Sequence, residues 1–212
     1  MDLLQQLSEG LQQGDEKKVF QLTRQAIELK IDPKLILDNG LISGMTIVGE
    51  KFRVHEIFLP DVLLAAKAMY QGMDLLKPLM IKQGIPAIGK VAIGTVQGDL
   101  HDIGKNLVAI MLKGAGFEVI DLGNNVPPEK FIKVAVEQGA AVIGMSALLT
   151  TTMSVMKNVI ELAKEHKVYG KKKFIIGGAP LTAEYAKEIG ADAYCFDAMS
   201  AVDTVKKIFN VI

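Results

Sequence analysis

The sequence predicts an α/β protein in which an N-terminal four-helix bundle precedes a flavodoxin- or Rossmann-like domain with a five-stranded parallel sheet. Residues 1 to about 83 carry apolar side chains at helical spacing. After Gly84-Ile85-Pro86-Ala87 the pattern changes to alternating strands and helices, with five strand–helix units in about 125 residues. We therefore expect two domains, a helical bundle over residues 1–85 and an α/β domain over residues 86–212.

Four helices are expected in the first domain. Leucines recur at helical spacing from Leu3 to Leu11, and Gly14-Asp15 then ends the first helix and caps the second. Asp32-Pro33 combines an N-cap with a proline in the first helical position, and it opens a third helix that runs to about Arg53. Pro60 marks the start of the fourth helix in the same way.

Five short apolar strands, each followed by a helix, are expected in the second domain. The strands are Val91–Val96, Phe117–Asp121, Ala140–Ser146, Lys173–Ile176 and Ala193–Cys195, and the helices cover about 104–115, 128–138, 152–166, 182–189 and 198–209. We expect the flavodoxin-like strand order 2-1-3-4-5. In that order the loops after strands 1 and 3 face one crevice, where open α/β sheets bind ligands.

Composition excludes several classes of protein. The 24 Lys and Arg residues balance 24 Asp and Glu residues, which argues against a nucleic-acid partner. No apolar run reaches the roughly 18 residues of a membrane span, and the N-terminus has no secretory signal. Because Cys195 is the single cysteine, an internal disulfide and a cysteine-based metal site are excluded, and a cytoplasmic location is expected.

The loop after the first predicted strand places a histidine between two carboxylates. His101 has Asp99 two residues before it and Asp102 directly after it. A ligating imidazole needs an acceptor on its other nitrogen, and Asp99 is the candidate for that role. Gly98 and Gly104 flank the loop without a Cβ, so a bulky group has room to approach the backbone. Alone, this short motif leaves open an ordinary polar loop as the alternative.

Two other loops follow predicted strands at the same edge of the sheet. The loop Ser146–Thr152 is rich in hydroxyl groups, although an N-cap for the next helix is an alternative interpretation. Gly177-Gly178 leaves room for a flat ligand group against the backbone, or it forms a turn that needs a positive φ.

Together these motifs resemble the cobalamin-binding module of methionine synthase and of the corrinoid proteins of methyltransferase systems. The family order Asp-x-His-x-x-Gly, Ser-x-Leu and Gly-Gly is matched here at the family's intervals, with 41 and 28 residues between the motifs. The matching segments are Asp99-Leu100-His101-Asp102-Ile103-Gly104, Ser146-Ala147-Leu148 and Gly177-Gly178. The family's helical cap carries a Phe-Leu-Pro motif, which matches Phe58-Leu59-Pro60. Related caps often have a glycine shortly before that motif, whereas this chain has Val54-His55-Glu56-Ile57.

The resemblance implies a role for each matched residue. His101 replaces the cofactor's benzimidazole as the lower axial ligand of cobalt, Asp99 accepts the other imidazole N–H, and Thr152 extends this relay. These three are the implied catalytic residues, and His101 is the metal ligand. The implied cofactor-binding residues are Gly98, Asp99, Leu100, His101, Asp102, Ile103, Gly104, Ser146, Leu148, Thr150, Thr152, Gly177, Gly178, Tyr194 and Phe58, the last as an apolar lid.

This division into ligand and cleft predicts different phenotypes for two variants. We expect His101→Ala to weaken the axial bond while the cleft still binds cofactor. We expect Gly178→Val to block binding by filling the cleft.

The function implied by the resemblance is that of a methyl carrier. Cobalamin or a related corrinoid takes a methyl group on Co(I) from a donor-specific methyltransferase, forming methylcobalamin. A second methyltransferase passes the methyl group to an acceptor such as tetrahydrofolate or coenzyme M. The implied partners are these two methyltransferases and a reductive activator of the corrinoid, so the chain is a subunit rather than a complete enzyme. The donor stays open among methylamines, methanol, quaternary amines and methoxylated aromatics.

Three alternatives are weaker. A small subunit of an adenosylcobalamin-dependent mutase is disfavoured by the four-helix cap, which such modules lack. A cobalamin or light sensor requires an output domain for which the length and neutral charge leave no room. A flavodoxin-like module unrelated to cobalamin is disfavoured by the matched motif intervals.

Overall fold

The structure is a computed structural model that describes residues 2–211, and these residues divide into two compact units. One unit runs up to Ala87 and includes Gly114–Gly116, and the other comprises Ile88–Lys113 and the chain from Phe117 onwards. Among the described helices, none combines the length and the apolar character that crossing a membrane requires.

The first unit is helical, as predicted. Its α-helices are α1 (Leu3–Gln12), α2 (Glu16–Glu28), α3 (Pro33–Leu35), α4 (Ser43–Arg53) and α5 (Leu59–Gln83). A π-helix, Ile36–Ile42, joins α3 to α4, so the predicted third helix is one continuous helix with a wider central segment. Gly40 lies in this segment because Leu7 of α1 packs against it, where a Cβ would come within 2.6 Å of the leucine Cδ2.

Side-chain caps begin the helices where the sequence predicts them. The Asp15 carboxylate accepts the Lys18 N–H at 3.0 Å, and the Asp32 carboxylate accepts the Lys34 N–H at 2.9 Å. At the start of α5 the Asp61 carboxylate accepts the Phe58 N–H at 2.8 Å. These bonds satisfy amides at the ends of helices that have no partner within the helix.

The segment in which the chain departs from related caps ends α4. His55 has φ 59°, its N–H donates to the Phe52 carbonyl at 3.1 Å, and the Glu56 N–H donates to the Lys51 carbonyl at 2.9 Å. This is a Schellman motif, whose left-handed position favours glycine. The departure therefore places a histidine where the backbone conformation suits glycine.

The second unit contains one parallel sheet with the predicted strand order β2-β1-β3-β4-β5. The strands are β1 (Lys90–Thr95), β2 (Glu118–Asp121), β3 (Val142–Ser146), β4 (Lys173–Gly177) and β5 (Ala193–Cys195). The helices are α6 (Ile103–Gly114), α7 (Pro128–Glu137), α8 (Ser154–Glu165), α9 (Ala183–Ile189) and α10 (Ala198–Ile208). Side chains of α7, α8 and α9 pack with one face of the sheet in a single buried cluster. Right-handed crossovers place α6 on the opposite face.

The strand register aligns the carboxyl ends of four strands. Thr95 pairs with Ser146, Ser146 pairs with Gly177, and Gly177 pairs with Cys195. The loops that follow β1, β3, β4 and β5 therefore leave the sheet from one row. This row is the edge at which parallel α/β sheets hold their ligands.

The observed elements end within two residues of the predicted limits. The first strand is Lys90–Thr95 rather than Val91–Val96, and Val96 instead forms an isolated bridge with Val126. Helix α6 begins at Ile103, so Ile103 and Gly104 belong to its first turn rather than to the preceding loop.

Candidate functional site

The His101 loop joins the end of β1 to the start of α6. Gly98 turns the chain with φ 85°, a left-handed conformation that glycine adopts without strain. The Thr95 hydroxyl donates to the His101 carbonyl at 3.0 Å, which ties the end of the loop to the end of its strand. The loop is therefore anchored at the row of strand ends described above.

Asp99 and His101 form a close pair within this loop. The Asp99 Oδ1 accepts the His101 backbone N–H at 3.0 Å and lies 2.7 Å from the imidazole Nδ1. Asp99 is fully buried, whereas about half of the His101 side chain, 52%, is exposed. Because Nδ1 faces the carboxylate, Nε2 is the ring nitrogen left for a ligand.

The other oxygen of the same carboxylate contacts the loop after β3. Asp99 Oδ2 accepts the Leu148 N–H at 2.7 Å and the Leu149 N–H at 3.2 Å. The buried Thr152 hydroxyl lies 3.0 Å from Asp99 Oδ2 and 2.9 Å from the Leu149 carbonyl. A hydroxyl has one proton, so Thr152 donates to one of these two oxygens at a time. The structure thus brings His101, Asp99 and Thr152 together.

These contacts determine the charge of Asp99. Burial opposes its ionisation, but the hydrogen bonds donated by Leu148, His101 and Thr152 outweigh burial and hold its pKa well below the ordinary value. The carboxylate is therefore ionised and can only accept hydrogen bonds. A proton on Nδ1 would be donated to this carboxylate, which leaves Nε2 as the ring nitrogen that faces a ligand.

The remaining predicted residues of the β3 loop lie at its start and on its surface. Ser146 is the last residue of β3 and is half-buried. Leu148 and Thr150 are exposed. The loop therefore presents both apolar and hydroxyl side chains at the edge of the sheet, next to the bonds that hold Asp99.

Gly177 and Gly178 end β4 in a crowded part of the same edge. A Cβ on Gly177 would lie 3.0 Å from the Cys195 carbonyl oxygen. Gly178 has φ 136°, and a Cβ there would lie 1.8 Å from the Ala147 carbonyl oxygen. The expectation that Gly178→Val acts by filling an open cleft is therefore wrong, because the added side chain would strike the backbone of the β3 loop.

Two predicted residues belong to other elements of the fold. Phe58 belongs to the helical unit, where it precedes α5 and is 66% exposed. Tyr194 lies within β5, pairs with Ile176 and packs partly buried against the cluster beneath α7, α8 and α9. Their contacts with a cofactor stay predictions.

The side chains at this site fit a metal ion whose other ligands come from a cofactor rather than from the protein. Among residues 2–211 no group of three or more His, Cys, Asp or Glu side chains is arranged to hold a metal ion. A single imidazole aimed by a buried carboxylate suits a metal ion inside a macrocycle, which needs only one ligand from the protein.

The surroundings of Gly104 also fit a bulky ligand at this loop. A Cβ on this residue would have no neighbour within 4 Å, and its backbone has no positive φ. The fold therefore does not require glycine here, although glycine weakens a helix. The open space beside the backbone is what a bulky ligand above the loop would occupy.

Comparison with known proteins identifies the family. Two protein-family models, each described as a B12 binding domain, match residues 89–205 and 3–77. The chain belongs to the B12-binding corrinoid proteins. Corrinoid binding follows from this membership.

Similar corrinoid proteins match over nearly their whole length. A corrinoid protein of Desulfitobacterium hafniense (strain Y51) is 41% identical, and the match covers 99% of both chains. The dimethylamine corrinoid protein of Methanosarcina barkeri is 42% identical, over 98% of this chain and 97% of the relative. The crystal structure of the methanol:cobalamin methyltransferase complex from Methanosarcina barkeri matches with a TM-score of 0.88 and 29% identity, covering 99% of this chain and 80% of that one.

The site of this corrinoid protein includes residues that sequence reasoning missed. Asn125, in the connection from β2 to α7, accepts the Gly98 N–H through its Oδ1 at 2.8 Å. Lys105, buried in the first turn of α6, contacts both oxygens of Asp121 at the end of β2, at 2.6 and 2.7 Å. The available signal was the predicted strand order, because it puts the end of strand 2 beside the His101 loop.

Proposed function

We propose that this corrinoid protein is a methyl carrier in which His101 would hold the cobalt of the bound corrinoid. The observation that carries the proposal is the 2.7 Å contact between Asp99 Oδ1 and His101 Nδ1, which leaves Nε2 of a half-exposed ring for the metal. When bound, the corrinoid supplies a cobalt ion that accepts and releases the methyl group.

In this proposal Asp99 accepts the imidazole proton of His101, and Thr152 directs its hydroxyl proton towards or away from Asp99. While His101 ligates the metal, its proton stays on Nδ1 and Asp99 Oδ1 accepts it. If the imidazole were not a ligand, solvent could supply a proton to Nε2 of the half-exposed ring, and the Asp99 carboxylate would stabilise the resulting charge. Thr152 then adjusts the basicity of Asp99, because its single proton turns either to Oδ2 or to the Leu149 carbonyl.

The same three loops are proposed to hold the rest of the cofactor. The exposed Leu100 and Ile103 provide apolar surface beside His101, and Gly104 leaves its backbone uncovered. The complete proposed set is Gly98, Asp99, Leu100, His101, Asp102, Ile103, Gly104, Ser146, Leu148, Thr150, Thr152, Gly177, Gly178, Tyr194 and Phe58. We propose that residues 1–85 form the cap domain and residues 86–212 the cobalamin-binding domain.

The proposed partners are a donor-specific methyltransferase, an acceptor methyltransferase and a reductive activator. Similarity to a dimethylamine corrinoid protein and to the corrinoid chain of a methanol complex supports the methyltransferase partners. The same scaffold thus accompanies two different donors, so we assign donor choice to the partner's pocket. Whole-length similarity to corrinoid proteins of such systems favours the carrier over the mutase subunit and the sensor.

Electron paramagnetic resonance of the Co(II) form tests His101 as the ligand. The protein is labelled uniformly with ¹⁵N and loaded with unlabelled cobalamin. An axial nitrogen from the protein splits each cobalt line into a doublet, whereas the cofactor's own ¹⁴N base splits it into a triplet. We expect a doublet that is lost in His101→Ala and kept in His166→Ala, since His166 is an exposed residue at the end of α8. A triplet in the unaltered protein refutes the ligand assignment.

A further inference from the structure

The loop that carries Asp99 and His101 is held from two sides. From the β3 side, Leu148, Leu149 and Thr152 bind the Asp99 carboxylate, as described above. From the β2 side, Asn125 binds the backbone, because its Oδ1 accepts the Gly98 N–H at 2.8 Å and its own N–H donates to the Asp99 carbonyl at 3.0 Å. One residue thus contacts backbone groups of two consecutive residues of the loop, Gly98 and Asp99.

Asn125 is itself fixed in position. The next residue, Val126, donates its N–H to the Thr95 carbonyl at 3.0 Å and forms a bridge with Val96. Asn125 has φ 51°, a left-handed conformation that asparagine tolerates better than most residues. The connection from β2 to α7 therefore presents the Asn125 side chain from a rigid base at the end of β1.

The Asn125 side chain holds the Gly98 N–H at the turn that leads into Asp99. Gly98 is left-handed, so the chain turns away from the direction of a continuing strand at this residue. Removing Asn125 Oδ1 frees this peptide to rotate, and rotation at Gly98 carries the Asp99 backbone with it. The Asp99 oxygens then lose their fixed distance to the His101 imidazole.

We infer that Asn125 is a positioning residue that sets the aim of the His101 imidazole through the backbone of Gly98 and Asp99, an inference that rests on the proposed axial ligation. Asn125 reaches the metal only through these two residues. Its removal should therefore change the fraction of cobalt that carries the protein nitrogen and leave the fold intact.

Three variants separate this role from a general effect on the fold. Asn125→Gly keeps the left-handed backbone and removes the side-chain acceptor, whereas Asn125→Asp keeps an acceptor oxygen. Asn210→Gly is the matched control, because Asn210 is also left-handed, with φ 54°, and follows α10 at the end of the chain. Each ¹⁵N-labelled variant is loaded with unlabelled cobalamin and examined as Co(II), and its thermal unfolding is recorded.

We expect the ratio of protein-ligated to unligated cobalt to fall about two- to tenfold in Asn125→Gly, the range for one lost hydrogen bond. The ratio should return towards the unaltered value in Asn125→Asp and stay unchanged in Asn210→Gly. Equal ratios in all variants overturn the positioning role and leave the carrier proposal standing. An equal loss in Asn125→Asp, or in Asn210→Gly, also overturns it. If the unaltered protein shows no doublet, the axial assignment fails and this inference fails with it.

Discussion

Gly104 offers a direct test of whether the space above the His101 loop is used by the cofactor. The residue lies in the first turn of α6 and has no positive φ, and among residues 2–211 no atom beyond its chain neighbours and its own helix backbone lies within 4 Å of an added Cβ. In the protein alone, Gly104→Ala therefore creates no overlap. Alanine is favoured over glycine in a helix by up to about 1 kcal/mol, so the variant should be slightly more stable.

Gly104→Ala should stabilise the protein without cofactor and weaken its binding of cobalamin. A gain of about 0.5–1 kcal/mol raises Tm by roughly 1–4 °C for a chain of this length. If a corrinoid fills the space beside the Gly104 backbone, the new methyl group overpacks the contact at a cost of about 1–3 kcal/mol. Cobalamin binding should then weaken roughly five- to 150-fold.

Thermal unfolding without cofactor and spectrophotometric titration with cobalamin measure both effects in one preparation. Gly170→Ala is the control, because Gly170 has φ 82° and likewise has no neighbour within 4 Å of an added Cβ. That control should lower Tm, since alanine is strained at positive φ, and leave cobalamin affinity unchanged. Unchanged affinity in Gly104→Ala would refute the reasoning that the open space serves the ligand.

Three further predictions concern stability. Gly178→Ala should lower the free energy of unfolding by about 3 kcal/mol or more in urea titrations, because backbone strain of about 1–3 kcal/mol adds to overlap with a carbonyl; a loss no larger than the roughly 1 kcal/mol expected for Gly170→Ala contradicts this. Asp121→Asn leaves the buried Lys105 ammonium without its charge partner and should lower the free energy of unfolding by about 1–3 kcal/mol. The control Glu118→Gln, in an exposed ion pair on the same strand, should lower it by at most about 0.5 kcal/mol, and equal losses in the two variants contradict this prediction. His55→Gly relieves a left-handed side chain at the end of α4 and should add about 1 kcal/mol, seen as a higher Tm; an unchanged or lower Tm contradicts it.

Local sequence patterns predicted the positions of most helices and strands. Helical periodicity, the caps at Asp15 and Asp32, and Pro60 located the helices of the first unit, because these signals depend on residues within a few positions of each other. The alternation of strands and helices predicted a doubly wound parallel sheet, and the flavodoxin-like strand order expected for it is confirmed. The π-helical segment Ile36–Ile42 was not predicted, since it arises where Gly40 meets a leucine of another helix.

The candidate site was predicted in its residue types and only partly in its geometry. The motif around His101 identified the imidazole and the carboxylate, and the family resemblance added Thr152 to this group. Sequence alone assigned Gly178 to an open cleft, whereas the structure sets it against the backbone of the neighbouring loop. It also passed over Asn125, whose side chain looks like an ordinary turn residue until its partner is known.

The sequence by itself determined the class of this protein, the order of its strands and the residues gathered at the carboxyl edge of the sheet, because periodicity, caps and motif spacing are properties of the chain. Only the tertiary structure decided which oxygen of Asp99 meets which donor and which residues hold the loop in place. Those contacts join Asp99 to Leu148 and Thr152 across 49 and 53 residues, and Gly98 to Asn125 across 27. Hydrogen bonds depend on tenths of an ångström and on direction, and packing sets both.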